Sequence, residues 1–152
     1  MHNGSLTFSV AKARDIKDEI QPLIVENWRD VQAGYPDSKL QPRYDFYYDL
    51  EDAGALLIIV ARMDGILVGY AIVILTAHPH RSADLVGSID TVYVLPEFRF
   101  AGSAARLLHF AETTLRDQGV YSLTMVARTK LVERWAGIIG YRQVETVWER
   151  RL

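Results

Sequence analysis

The chain has 152 residues, with 17 lysines and arginines against 19 aspartates and glutamates, and no cysteine. Its length fits one domain, and 49% apolar with 24% charged residues is the balance of a globular protein whose core needs no disulfide staple. The missing cysteine excludes disulfides, thiolate nucleophiles and sulfur-ligated zinc, and a net charge of −2 argues against nucleic acid as the main partner, since that requires a basic face.

Residues 6–10 alternate apolar and polar side chains and predict a short strand. Met1-His2-Asn3-Gly4-Ser5 ahead of it lacks the basic and apolar regions of a signal peptide, so a cytoplasmic protein is expected. Asp15 then leads into Ile16, Ile20, Leu23, Ile24, Trp28 and Val31, a helical stripe that Pro22 is expected to kink or restart. Gly34, Pro36 and Asp37 predict a loop. Residues 42–52 read as a second helix, with Pro42 near its first turn and Gly54 just past its end. Tyr44, Tyr47 and Tyr48 share one of its faces. Residues 56–62 and 66–75 are β-rich runs joined by Asp64-Gly65, a tight-hairpin signal. The second run is ten apolar-rich residues, against the ~20 a bilayer span requires, so no membrane partner is expected. His78-Pro79-His80 closes it.

Residues 85–94 form another strand candidate, ended by Leu95-Pro96. Ala104, Leu107, Leu108, Ala111 and Leu115 have helical spacing, with Gly119 as the stop. A strand over 121–127, a helix over 130–138 stopped by Gly140, and a last strand over 142–148 complete the order β-α-α-β-β-β-α-β-α-β. Hairpins followed by a βαβ unit imply an α/β (α+β) fold with one mixed antiparallel and parallel sheet. No repeats or linkers interrupt it, so residues 1–152 read as a single domain.

Chemistry concentrates at residues 92–105, where a strand ends and a helix begins among small residues. A helix N-terminus offers unpaired N–H groups and a positive dipole end, which together bind phosphate. Gly102, Ser103, Ala104 and Ala105 leave room for a pyrophosphate there, and Arg99 supplies a cation. The same residues also suit an ordinary strand–loop–helix connection with a surface arginine.

Arg99-x-x-Gly102-x-Ala104 resembles the Arg/Gln-x-x-Gly-x-Gly/Ala acyl-CoA motif of the GNAT superfamily of N-acetyltransferases. Tyr93-Val94-Leu95-Pro96-Glu97 resembles the strand end before that motif, Asp64-Gly65-Ile66-Leu67-Val68-Gly69 its central hairpin, and Gly140-Tyr141 its late Gly-Phe. The similarity covers about residues 6–148 in the right order; a looser one, over 47–56 and 78–81, points to members encoded by bacteriophages. The resemblance implies a sheet with helices on both faces and acetyl-CoA as co-substrate. Acetyl-CoA would enter a V-shaped gap between the strands at 89–94 and 122–127. The backbone of Val92 and Val94 would pair with the pantetheine amides. The pyrophosphate would rest on the N–H groups of Phe100, Ala101, Gly102, Ser103, Ala104 and Ala105, with Arg99 nearby.

Two departures stand out. Where many members carry an asparagine at the start of the last helix and a tyrosine that protonates the leaving thiolate, this chain has Thr129, whose hydroxyl would still contact the cofactor, and Ala136. Indole at Trp135 cannot replace the tyrosine, so water or another hydroxyl would protonate a thiolate whose acid has a pKa of about 8.5. Only twelve residues follow Gly140, where fuller members have a final hairpin, and an edge left open there would favour a homodimer.

Acyl transfer to an amine needs a base. Asp90 and Ser88 share one face of their strand and are candidates, with a turn cap or an ion pair as the other reading of Asp90. His78 and His80 are candidates in a loop that borders the acceptor in relatives, although solvent-exposed loop histidines fit the same pattern. No metal site is expected. Tyr44, Tyr47, Tyr48 and Trp28 would wall the acceptor pocket, or pack as a helical face. The expected function is direct transfer of an acetyl group from acetyl-CoA to a primary amine of a small molecule or protein, without an acyl-cysteine step. The alternative is an acyl-CoA-binding or protein-interaction module with weak or no catalysis.

Overall fold

The structure, a computed structural model, describes residues 4–31, 34 and 37–152, the Ser82 side chain excepted. Residues 1–3, and Pro36 of the predicted loop, lie outside the described residues. The elements are β1 (Leu6–Ala11), α1 (Ala13–Val31), α2 (Tyr44–Asp52), β2 (Leu56–Met63), β3 (Ile66–His78), β4 (Arg81–Val94), a 3-10 turn (Pro96–Phe98), α3 (Ser103–Asp117), β5 (Val120–Met125) and α4 (Lys130–Ile138).

The five strands form one sheet in the order β1-β2-β3-β4-β5. The first three pairings are antiparallel and β4–β5 is parallel. Strand alternation sends Leu57, Ile59 and Ala61 of β2 and Val73 of β3 to one face, where they pack with Leu107, Leu108, Ala111 and Leu115 of α3. The opposite face carries Ile58, Val60, Tyr70, Ile72 and Tyr93 against Ile16, Ile20 and Leu23 of α1. Two covered faces explain why β2 and β3 are almost continuously apolar. At the β2–β3 turn Asp64 and Gly65 have φ of 51° and 85°, the left-handed pair that a two-residue hairpin requires.

Two expectations need correction. α1 runs unbroken through Pro22 for 19 residues. Ile16 and Ile20 before the proline and Leu23 after it are buried against the sheet, while Pro22 itself faces solvent. Packing on both sides outweighs one lost backbone hydrogen bond. The predicted last strand over 142–148 does not form, and Val144 and Trp148 are 62% and 90% exposed. A strand exists only by pairing, and that segment pairs with no described strand of this chain. The described order is therefore β-α-α-β-β-β-α-β-α.

Candidate active site

The site begins with a break in pairing. β4 and β5 pair from Leu85 opposite Val120, through a one-residue shift at Val86, to Ile89 opposite Met125, and there the parallel ladder stops. β4 continues to Val94, held only by β3 on its other side. Residues 90–94 thus present an open strand edge. Leu95 N–H donates to Val68 O at 2.9 Å on the β3 side, so alternation turns the N–H and C=O groups of Val92 and Val94 outward to the open edge. Their side chains pack on the α3 face.

A bulge sits where the edge opens. Ile72 faces Thr91 and Val73 faces Ile89, which leaves Asp90 as the extra residue. Asp90 and Thr91 consequently project to the same face, and their side-chain oxygens are 3.5 Å apart. The Tyr47 hydroxyl, delivered by α2, donates to Asp90 Oδ2 at 3.1 Å. Burial, then the charge of Asp90, pushes the Tyr47 phenol well above its ordinary pKa, so it remains a donor. Behind it Tyr70 is buried, its hydroxyl accepting from Asn27 Nδ2 of α1 at 3.3 Å. Burial raises its pKa more than the Asn27 bond lowers it.

Beyond β4 the chain turns through Ala101 (φ 48°) and Gly102 (φ 67°) into α3. Ser103 N–H donates to Phe100 O and Arg106 N–H to Gly102 O, which leaves the N–H groups of Ala104 and Ala105 directed out of the helix end. No side chain caps that end. Ser103 is 2% exposed and its Oγ, fully buried, has no hydrogen-bond partner in the structure. A buried hydroxyl without a partner beside uncapped N–H groups fits a phosphate ligand.

The structure brings together only some of the sequence candidates. Asp90 and Tyr47 meet. Ser88 lies two residues before Asp90, exposed and opposite Thr124 of β5. His78 and His80 sit at the β3–β4 hairpin tip with His80 N–H donating to His78 Nδ1 at 3.2 Å. β4 bulges at the tip, where Ala77 faces Leu85 and His78 faces Arg81; counted on β3, six residues of roughly 3.3 Å each separate His78 from Ile72 at the Asp90 bulge, so these histidines lie about 20 Å along the sheet from it. Tyr44 donates to Gln21 of α1, and Tyr48 stacks under Arg14 at 4.8 Å, so both fasten α2 to α1. Trp28 is half-buried on α1. The Thr129 hydroxyl accepts from Val132 N–H at 3.2 Å and caps α4. Ala136 is buried in the core.

Arg99 makes three contacts. Nε donates to Val94 O at 2.7 Å, Nη2 meets Asp30 Oδ2 of α1 at 3.1 Å, and the guanidinium stands 5.3 Å from the Tyr93 ring centre. Sequence reasoning missed Asp30, Asn27 and Tyr70. Only Tyr70 left a signal, a phenol inside an otherwise aliphatic buried run, where its hydroxyl must find a partner.

The sequence model of the acetyltransferase (GNAT) family matches residues 20–136. The chain belongs to that family. This acetyltransferase resembles several solved structures over nearly its whole length. A ribosomal-protein-alanine N-acetyltransferase from Brucella melitensis biovar Abortus 2308 is 21% identical with a TM-score of 0.73, covering 97% of this chain and 99% of its own. An aminoglycoside acetyltransferase from an uncultured soil metagenomic sample is 15% identical with a TM-score of 0.77, covering 97% and 99%. A predicted acetyltransferase from Clostridium acetobutylicum, solved with acetyl-CoA, is 15% identical with a TM-score of 0.74, covering 97% and 96%. At these identities the structures establish the shared fold. They add no support to the looser likeness to phage-encoded members. No curated protein sequence matches this one. Among the described residues no helix is long and apolar enough to cross a membrane.

Proposed function

We propose that this acetyltransferase, as one domain over residues 1–152, moves the acetyl group of acetyl-CoA directly onto a primary amine of a small molecule or a protein. The observation that carries the reading is the open edge of β4 over residues 90–94, which leads straight into the uncapped N-terminus of α3 with its unpartnered Ser103 hydroxyl. The acetyl-CoA in the Clostridium structure supports the donor. The aminoglycoside and ribosomal-protein enzymes of the same fold support an amine acceptor of either size.

Acetyl-CoA, when bound, supplies an activated thioester. The chain's own part follows from the geometry. The N–H and C=O groups of Val92 and the N–H of Val94 line the edge as a strand would, so an extended amide-bearing arm is held by backbone pairing, the Val94 carbonyl being taken by Arg99. The Val92 N–H, two residues from Asp90 on the same edge, can donate to a carbonyl oxygen on which charge develops. The N–H groups of Ala104 and Ala105 hold the pyrophosphate. Asp90 Oδ1 takes the proton of the incoming ammonium, directly or through one water, while Oδ2 stays fixed by the Tyr47 hydroxyl. Ser88, two residues along the same face, anchors that water. Ala136 has no hydroxyl, so the thiolate takes its proton from water or from a hydroxyl beside Asp90, of which Thr91 is one.

The proposal includes a cytoplasmic homodimer. Among the described residues β5 has no partner on its outer edge, and the exposed valines and tryptophan of 142–148 have the pattern of a strand that a second copy can pair.

Calorimetry with acetyl-CoA, followed by turnover across a panel of amines, peptides and aminoglycosides, tests the reading. Binding that Gly102→Trp abolishes, together with acetyl transfer to at least one acceptor, is expected. Absence of binding to the unaltered chain overturns the donor. Tight binding with no transfer to any acceptor supports a binding module instead.

A further inference from the structure

Arg99 occupies the place where a phosphate-binding cation is expected, yet its geometry serves a different purpose. The Val94 carbonyl faces the open edge of β4, and Arg99 Nε already donates to it at 2.7 Å. The guanidinium lies over Tyr93, a residue of the α1 face, whereas α3 packs on the opposite face of the sheet. Its remaining reach is taken by Asp30 in the last turn of α1 at 3.1 Å. Three fixed points leave the group little freedom to swing toward the helix end.

We infer that Arg99, locked by Asp30, is a positioning residue that holds the Val94 peptide and so terminates the pantetheine slot, rather than a ligand of the pyrophosphate. The inference rests on the donor proposed above. An exposed arginine–carboxylate pair contributes little by itself. Here the pair orients a guanidinium whose Nε–H satisfies a strand carbonyl that a bound arm would otherwise claim. With that carbonyl taken, the arm can pair with both backbone groups of Val92 but only with the N–H of Val94, which fixes its register along the edge. Asp30 also joins the slot to α1, whose Asn27 one turn earlier holds the Tyr70 hydroxyl on the acceptor side.

The test compares two ligands by calorimetry on the full chain: coenzyme A, and 3′-phospho-ADP, which keeps the pyrophosphate and lacks the pantetheine arm. Arg99→Gln is expected to weaken coenzyme A about tenfold, because the Val94 peptide loses its anchor and the arm its fixed register, and to leave 3′-phospho-ADP within about twofold. Asp30→Asn, a surface change that the fold tolerates, is expected to move coenzyme A in the same direction by about threefold and to spare the nucleotide. Arg99→Lys is expected not to rescue, because one ammonium cannot reproduce both contacts. Equal weakening of both ligands by Arg99→Gln makes Arg99 a phosphate ligand and overturns the inference, as does no change in either. If the unaltered chain binds coenzyme A with any other variant pattern, this inference alone falls. If the unaltered chain binds neither ligand, the proposed donor falls with it.

Discussion

At the scale of single residues, Asp90 and Tyr47 divide one task. In the proposed mechanism a carboxylate on a bulge, fixed on one oxygen by a phenol that burial keeps protonated, leaves its other oxygen for a proton in transit. Asp90→Asn should keep acetyl-CoA affinity and lower kcat by about 10²-fold or more, the usual worth of a positioned general base. Tyr47→Phe should lower kcat less, by about tenfold, through a looser Asp90. Steady-state rates beside calorimetric affinities separate the two effects, and an unchanged rate for Asp90→Asn would remove Asp90 from the mechanism. Thr129 has a hydroxyl committed to Val132 N–H. Thr129→Ala should cost about 1 kcal/mol of stability, with recovery in Thr129→Ser. Denaturant titration reads the cap; a parallel loss of coenzyme A affinity that exceeds the loss of stability would assign Thr129 a cofactor contact as well.

At the scale of elements, the proposed cofactor slot is made by what β4 and β5 stop doing. Their ladder ends at Ile89 and Met125, one residue before the bulge, and the loop into α3 then needs two left-handed residues in a row. Ala101 already bears that strain, and Gly102 is the position where a side chain adds more. Gly102→Ala should destabilise the fold by about 1–2 kcal/mol and weaken coenzyme A, because the N–H groups of Ala104 and Ala105 take their direction from that turn. An added Cβ meets no atom within 4 Å, so the loss is conformational and not steric. A coenzyme A affinity unaltered in Gly102→Ala would detach the turn from the site.

At the scale of the whole molecule, burial of phenols sets a pH limit on stability. Tyr47, Tyr70 and Tyr141 all have pKa values raised above the ordinary one, chiefly by burial. A group whose folded pKa is raised contributes stability that is complete below its unfolded pKa, about 10 for tyrosine, and that is lost as pH climbs from there toward the folded value. Melting temperature should therefore hold steady up to about pH 10 and fall above it. Tyr70→Phe should flatten the fall, since Tyr70 is the most buried of the three; an identical slope in that variant would count against the assignment. The exposed segment at 142–148 makes a second prediction at this scale. Analytical ultracentrifugation should show a dimer, and Val147→Glu with Trp148→Glu should give monomers. A monomer from the unaltered chain would leave the β5 edge open and retire the homodimer.

Much of the architecture was already written in the sequence. Period-two and helical apolar patterns, the Asp64-Gly65 turn and the stop glycines each act through neighbours close in the chain, so they are visible without a fold. The Arg99-x-x-Gly102-x-Ala104 motif and the small residues after it mark the loop proposed to hold the cofactor for the same reason. What the tertiary structure decided depends on partners far apart in the chain. Packing of Ile16, Ile20 and Leu23 carries α1 through Pro22, and the lack of a neighbouring strand leaves 142–148 unpaired. Tyr47 was separated from Tyr44 and Tyr48 by the sheet it meets, not by helical spacing that all three share. His78 and His80 were placed at a hairpin tip far from Asp90 by strand length and register. Arg99 met a carboxylate 69 positions away, and no local pattern records such a pairing, because an exposed Asp30 looks like any other solvated acid until the helix that bears it is laid across β4.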